Sequence, residues 1–233
     1  MSIHYWPIKL TQLFLDIIST TSTLHRLPMN SIDDFVLRLS KKRNTSTVKN
    51  PYLDPTLAKN LSVYLNAIDQ LTDTPVLLVG EALGFKGGRL TGIPFSSGHI
   101  FERFEHPFLS EIRPNIVLEN MESENTATIV WEYLSERQIT PLCWNAFPFH
   151  PHPKGNRFKN RAPTAKEIAS GTRYLKALQS IFQIDTIIGV GNKGAQCAQK
   201  SFPDMDIRTV RHPSYGGKRD FTQGLDEILF NNS

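Results

Sequence analysis

The sequence predicts a three-layer α/β/α domain around a four-stranded, mainly parallel sheet. Three observations carry this. Four short apolar runs, at 76–79, 142–144, 186–190 and 207–210, have the near-continuous hydrophobicity of strands covered on both faces. Segments with helical periodicity lie between them, and alternation of the two implies a parallel sheet. A chain of 233 residues with 39% hydrophobic content is enough for one such domain with a full core.

Taken in order, residues 7–20 read as an amphipathic helix with Leu10, Leu13, Phe14 and Ile17 on one face. The stretch from about 26 to 53 is polar, contains Lys41, Lys42 and Arg43, and reads as a loop with one short helix. Asp54 is a suitable N-cap and Pro55 fits a first helical turn, after which Leu57, Leu61, Leu65 and Ile68 form a stripe. A further helix spans 124–138. Another spans 165–182, where Thr164 and Glu167 match a capping box ahead of Ile168, Leu175, Leu178 and Phe182. The organisation expected is one domain over 1–233, with an N-terminal helical extension at about 1–72.

Composition narrows the function classes. No apolar run approaches the roughly 20 residues of a membrane span, and the first residues lack the pattern of a secretory signal. The two cysteines, Cys143 and Cys197, are isolated, so a disulfide framework or a Cys-rich cluster site is not expected. A cytoplasmic, membrane-free monomer fits these features. The net charge of +4 is modest, but Lys154, Arg157, Lys159, Arg161 and Lys166 fall in one segment, and Arg208, Arg211, Lys218 and Arg219 in another. Two solvated faces and two contacts for a polyanion are both open on charge alone.

Each strand runs into a segment rich in Gly, Pro, His or Asn: 80–84, 145–150, 191–194 and 211–217. Open α/β sheets bind ligands at the carboxyl ends of their strands, so four such loops on one edge can line one cleft. The first opens a stretch with five glycines between Gly80 and Phe95, which lets backbone N–H groups approach a ligand. It is not a Walker loop, since no Gly-Lys-Ser/Thr follows. Its end, Thr91-Gly92-Ile93-Pro94-Phe95, places a Pro-restrained aromatic suited to stacking on a flat base. Gly189, Gly191 and Gly194 formally match the dinucleotide fingerprint, but the next strand ends in Arg211 and His212 where an acidic residue is needed. Tight strand-to-helix packing is the reading for these glycines. His150 and His152 lack a carboxylate or thiol at familiar metal spacing, and no metal is expected.

Together these segments resemble the uracil-DNA glycosylase superfamily, in order from about Val76 to Ser214. The stretch from Gly80 to Phe95 resembles the first motif of its single-strand-selective and iron-sulfur types. The piece WNAFPFHPHPKGNRFKNRAPTAKEI resembles the Asn-bearing strand end of the iron-sulfur types, and RHPSYGG resembles the His-Pro-Ser second motif. Two departures matter. Phe149 and Gly171 stand where two cluster cysteines would lie, so no iron-sulfur cluster and no other cofactor is expected. Ala82 stands where many members carry an Asp or Asn that positions water.

The resemblance implies hydrolysis of the N-glycosidic bond of uracil or a related deaminated base flipped out of DNA. It also leaves open a catalytically impaired member of the same fold that only binds nucleic acid. Asn145 would read the base, since its amide offers both a donor and an acceptor. Phe95 would stack on the base, with Gly80 and Ala82 lining its site. His212 would stabilise the departing base anion. Glu81 is the nearest carboxylate to the missing water group, and water positioning and a structural role stand equal for it. Ser214, Gly216 and Gly217, with Lys218 and Arg219, would meet DNA phosphates.

Overall fold

The computed structural model describes residues 29–71 and 76–231. The helix read at 7–20 lies outside the described residues. The first described elements are α1 (Ile32–Ser40), β1 (Val48–Lys49), a 3-10 turn (Pro51–Leu53) and α2 (Pro55–Asp69). Asp54 caps α2 as its sequence implies, its carboxylate accepting the Thr56 N–H at 2.9 Å. Leu61, Leu65 and Ile68 face the core, joined by Tyr64 and by buried Asn60, while Leu57 is only half-buried.

Four strands form the main sheet. They are β2 (Leu77–Ala82) and β3 (Leu142–Phe147), then, after the two-residue β4 (His150–Pro151), β5 (Ile187–Val190) and β6 (Ile207–Val210). Their order is β3-β2-β5-β6 and every pair is parallel. Helices cover both faces: α6 (Asn125–Arg137), α7 (Ala165–Ile181), α8 (Gly191–Ser201) and α9 (Lys218–Leu229), with short α3 (Gly88–Thr91), α4 (Ile100–Arg103) and α5 (Pro107–Ile112) between β2 and α6. The capping box at Thr164 is formed in both directions. Among the described residues no helix is long and apolar enough to cross a membrane.

Three segments read as loops are regular structure. Gly80, Glu81 and Ala82 continue β2, and Asn145, Ala146 and Phe147 continue β3, because the ladder between them pairs Gly80 with Asn145 and Ala82 with Phe147. Residues 191–194 are the first turn of α8, which follows β5 without a connecting loop. Only 211–217 is a true loop.

The fingerprint glycines explain the direct entry into α8. A Cβ on Gly189 would collide with the Ala195 backbone, and one on Gly194 would collide with the Val79 carbonyl. Gly191 has φ +71°, a conformation that a side chain disfavours by about 1–2 kcal/mol. All three are thus used by packing and by a turn.

β1 pairs antiparallel with β4, tying the N-terminal part to the segment after β3. Around this junction Phe149 lies edge-on to Phe147 and Tyr174, at ring-centroid distances of 5.3 and 6.1 Å. Gly171 in α7 lies against the Ala146 carbonyl, with no room for a Cβ. The two positions where cluster cysteines would lie are therefore occupied by an aromatic cluster and a close helix–strand contact.

Candidate active site

Register places the site residues. Gly80 is level with Asn145, and the ladders through Val79–Gly189 and Val190–Val210 carry that level across the sheet. Gly80, Asn145, Gly191 and His212 therefore share the carboxyl edge. A cavity of about 490 Å³ opens there, within the size range of small-molecule sites.

The floor is built around the missing side chain of Gly80. A Cβ at that position would come within 2.5 Å of Phe95 Cζ and 2.6 Å of Asn145 Oδ1. The aromatic ring and the amide thus meet over one residue. Asn145 is buried, and among the described residues no side chain or backbone group hydrogen-bonds its amide. Phe95 has φ +52°, strain of about 1–3 kcal/mol for a bulky residue, and the surroundings hold it. Trp131 Nε1–H donates to the Phe95 carbonyl at 3.0 Å, and Ser96 Oγ donates to the Ile93 carbonyl at 2.7 Å.

His212 stands on the other side. Its Nδ1 accepts the Ser214 N–H at 3.2 Å, so the neutral imidazole carries its proton on Nε2. Burial pulls its pKa below the ordinary histidine value, while Glu124 and Glu81 pull the other way. Gly191 is the reason the ring fits, because a Cβ there would stand 3.0 Å from the His212 Cβ.

Glu81 lines the cavity and is ion-paired to Lys193 at 2.9 Å, with about a third of its side chain exposed. Ala82 also lines it. Ser214 is buried, its hydroxyl 3.0 Å from Thr126 Oγ1 and 3.4 Å from Asn125 Nδ2. Beyond it the chain turns through Tyr215 (φ +57°) and Gly216 (φ +78°) into α9, whose N-terminus no side chain caps. Lys218 is paired with Glu132 at 2.8 Å. Of the other cationic segment, Arg161 is held internally by Glu167 at 2.7 Å.

The N-terminus of α6 also reaches the cavity, which its sequence does not disclose. Glu124 caps that helix by accepting the Thr126 and Ala127 N–H groups, and Glu124, Asn125 and Thr126 all line the cavity. Their only local signal is a polar run at a helix start, which does not say what it faces. Asn160 is a second such case, its Oδ1 accepting the Phe85 N–H at 2.9 Å at the cavity wall. His150 is structural: its ring nitrogens lie 2.9 Å from the Leu83 carbonyl and 3.1 Å from the Arg157 carbonyl. Among the described residues no group of His, Cys, Asp and Glu side chains is arranged to hold a metal.

The sequence pattern of the family described as the Uracil DNA glycosylase superfamily matches residues 68–228. The chain belongs to the uracil-DNA glycosylase superfamily. Among solved structures, one similar to this member is wild-type SMUG2 of Pedobacter heparinus, with a TM-score of 0.60 and 16% sequence identity. The likeness covers 87% of this chain and 99% of that one, and at this identity it concerns the fold. No curated protein matches the chain. The superfamily match contains all of the residues placed at the cavity above, from Gly80 to the start of α9.

Proposed function

We propose that this protein is a monofunctional DNA glycosylase, which hydrolyses the N-glycosidic bond of uracil or a related deaminated base flipped into the cavity. The observation that carries this is the meeting of the Phe95 ring and the unengaged Asn145 amide over Gly80. A stacking face and a donor–acceptor pair at right reach of one another are what reading a flipped base requires. Across the cavity, His212 Nε2–H supplies a neutral donor for the departing base. As the bond from C1′ to the base nitrogen breaks, its electron pair stays on the base, and a donor aimed at that charge acts mainly in the transition state. Water bonds to C1′ and gives up its proton to Glu81, which with Glu124 is one of two carboxylates lining the cavity. The uncapped start of α9, with Ser214, Gly216, Gly217, Lys218 and Arg219, supplies amides and charge for DNA phosphates. The exposed Tyr215 ring at the cavity rim would fill the gap that a flipped base leaves.

The test is incubation with an oligonucleotide containing one uracil, followed by alkali. Strand scission at the uracil, dependent on both protein and alkali, is the expected result. A second reading, a DNA-binding member with impaired chemistry, is favoured by Ala82 and by the ion pair that engages Glu81 with Lys193. It predicts binding of the same oligonucleotide with no scission.

A further inference from the structure

The two carboxylates of the cavity are not equivalent. The charge of Glu81 is met by Lys193 Nζ at 2.9 Å. Among the described residues Glu124 is ion-paired with no cation. Its partners are backbone groups: Oε1 accepts the Thr126 N–H at 3.1 Å and Oε2 the Ala127 N–H at 2.8 Å. The N-terminus of α6 thus stabilises this charge without cancelling it. A carboxylate has about four acceptor sites, so each oxygen keeps capacity for a further contact.

Capping alone does not account for a glutamate at this position. Helix starts favour Ser, Thr, Asp and Asn, whose short side chains reach the first amides directly. Glu brings an extra methylene, and the loop after β2 makes room for it. A Cβ on Gly87 would stand 3.2 Å from Glu124 Cγ, and one on Gly84 would stand 3.8 Å from it. Gly84, Gly87 and Glu124 all line the cavity. The same helix start is tied to the loop after β6, since Thr126 Oγ1 and Asn125 Nδ2 lie 3.0 and 3.4 Å from Ser214 Oγ. The sugar of a flipped nucleotide lies between its phosphate and its base, and Glu124 is anchored beside the segment that meets the phosphates. Its field also reaches His212. Burial dominates the lowered pKa of that ring, Arg211 adds to it, and of the two carboxylates that oppose it Glu124 acts more strongly than Glu81.

We propose that Glu124 is a catalytic residue of this site, whose uncancelled negative charge stabilises the cationic sugar that forms as the base departs. The electron pair of the broken bond leaves with the base, and the positive charge left behind is shared by C1′ and the ring oxygen. Glu124 forms no bond to it; water supplies the new bond at C1′. This role rests on the glycosylase reading.

Glu124→Asp and Glu124→Asn separate charge from capping, because both residues are favoured N-caps and only Asp is charged. Glu124→Gln keeps the full length and loses the charge. The readouts are single-turnover release of base from oligonucleotides carrying one uracil, hypoxanthine or xanthine, affinity for the undamaged oligonucleotide, and melting temperature. Glu124→Asn and Glu124→Gln should each release base about 10²-fold more slowly than wild type, the scale of one electrostatic group aimed at developing charge. Glu124→Asp should keep most of the rate. Affinity for undamaged DNA should be equal or tighter in the uncharged variants, since a negative charge near phosphates is gone. Glu124→Asp and Glu124→Asn should melt alike. Wild-type rates in the uncharged variants, equal loss in Asp and Asn, or a rate loss matched by loss of affinity would each overturn the proposal and leave the glycosylase reading standing. A wild type that releases none of the three bases would sink the glycosylase reading and this role with it.

Discussion

The two edge strands of the sheet are built differently. β3 is buried at all six positions, whereas in β6 only Val210 is fully buried and Arg208 and Thr209 are exposed. At Cys143 the outer edge of β3 is closed by a side chain. The Cys143 N–H donates to Tyr64 Oη at 2.7 Å, and that hydroxyl lies 3.4 Å from the Cys143 carbonyl, so one tyrosine satisfies both groups that a neighbouring strand would have used. Phe35 packs edge-on against Trp144 at 5.2 Å beside it. Asn145 sits on this closed edge. His212 follows the open one, and its position is set by local contacts: the Ser214 N–H and the space at Gly191. Under the proposed function, base reading would thus fall to the sheet itself and the leaving-group donor to a loop. Loss of the Tyr64 closure at the β3 edge should appear in stability, and damage to the His212 loop after β6 in rate.

The largest effect on the β6 side is expected from His212→Ala. Single-turnover excision should fall about 10²–10³-fold, with affinity for undamaged DNA nearly intact. Equal loss of binding would mean that the loop holds DNA and does not act on the base. Gly191→Ala probes the same edge one step removed. The left-handed conformation costs about 1–2 kcal/mol, and the new methyl displaces the ring, with up to about 10²-fold loss in rate if the donor moves by an ångström. A variant that is destabilised yet cuts at the wild-type rate would separate Gly191 from the placement of His212.

Tyr64→Phe is the matching test of the β3 edge. It leaves the buried Cys143 N–H without its partner, for about 1–3 kcal/mol of stability and roughly 2–4 °C of melting temperature per kcal/mol. The rate should be unchanged well below the melting temperature. A loss of rate there would show that the closed edge tunes chemistry as well. The smallest effect is in pH. The proposed donor is the neutral imidazole and burial lowers its pKa from the ordinary histidine value, so activity should hold through neutral pH and decline only on the acid side of that value, as His212 gains a proton. Activity that instead falls as pH rises through this region would make the imidazolium the working form.

The contrast between edges also marks what a sequence discloses. The four apolar runs, the α2 cap at Asp54 and the capping box at Thr164 are local patterns, and each forms where its residues indicate. The true ends of β2 and β3 are not local: Ala82 and Phe147 extend their strands because they pair with each other. Helices of four to six residues, such as α3 and α5, are too short to display a periodic stripe. Of the cavity lining, Asn145, Phe95 and His212 are legible through motif resemblance, and His212 also through its place after a strand. Glu124, Asn125, Thr126 and Asn160 reach the cavity only through tertiary packing, and nothing in their neighbours announces it. The closure of β3 by Tyr64, 79 residues earlier, is of the same kind.

In the proposed function the Asn145 amide, held over Gly80 beside Phe95, reads a base that the protein then releases. Mass-spectrometric detection of free base tests it most directly, using single-stranded oligonucleotides that each contain one uracil, hypoxanthine or xanthine. Wild type should release at least one of these bases. Asn145→Ala should release none above background while keeping the wild-type melting profile and affinity for undamaged DNA. Equal release by the two proteins would contradict the account.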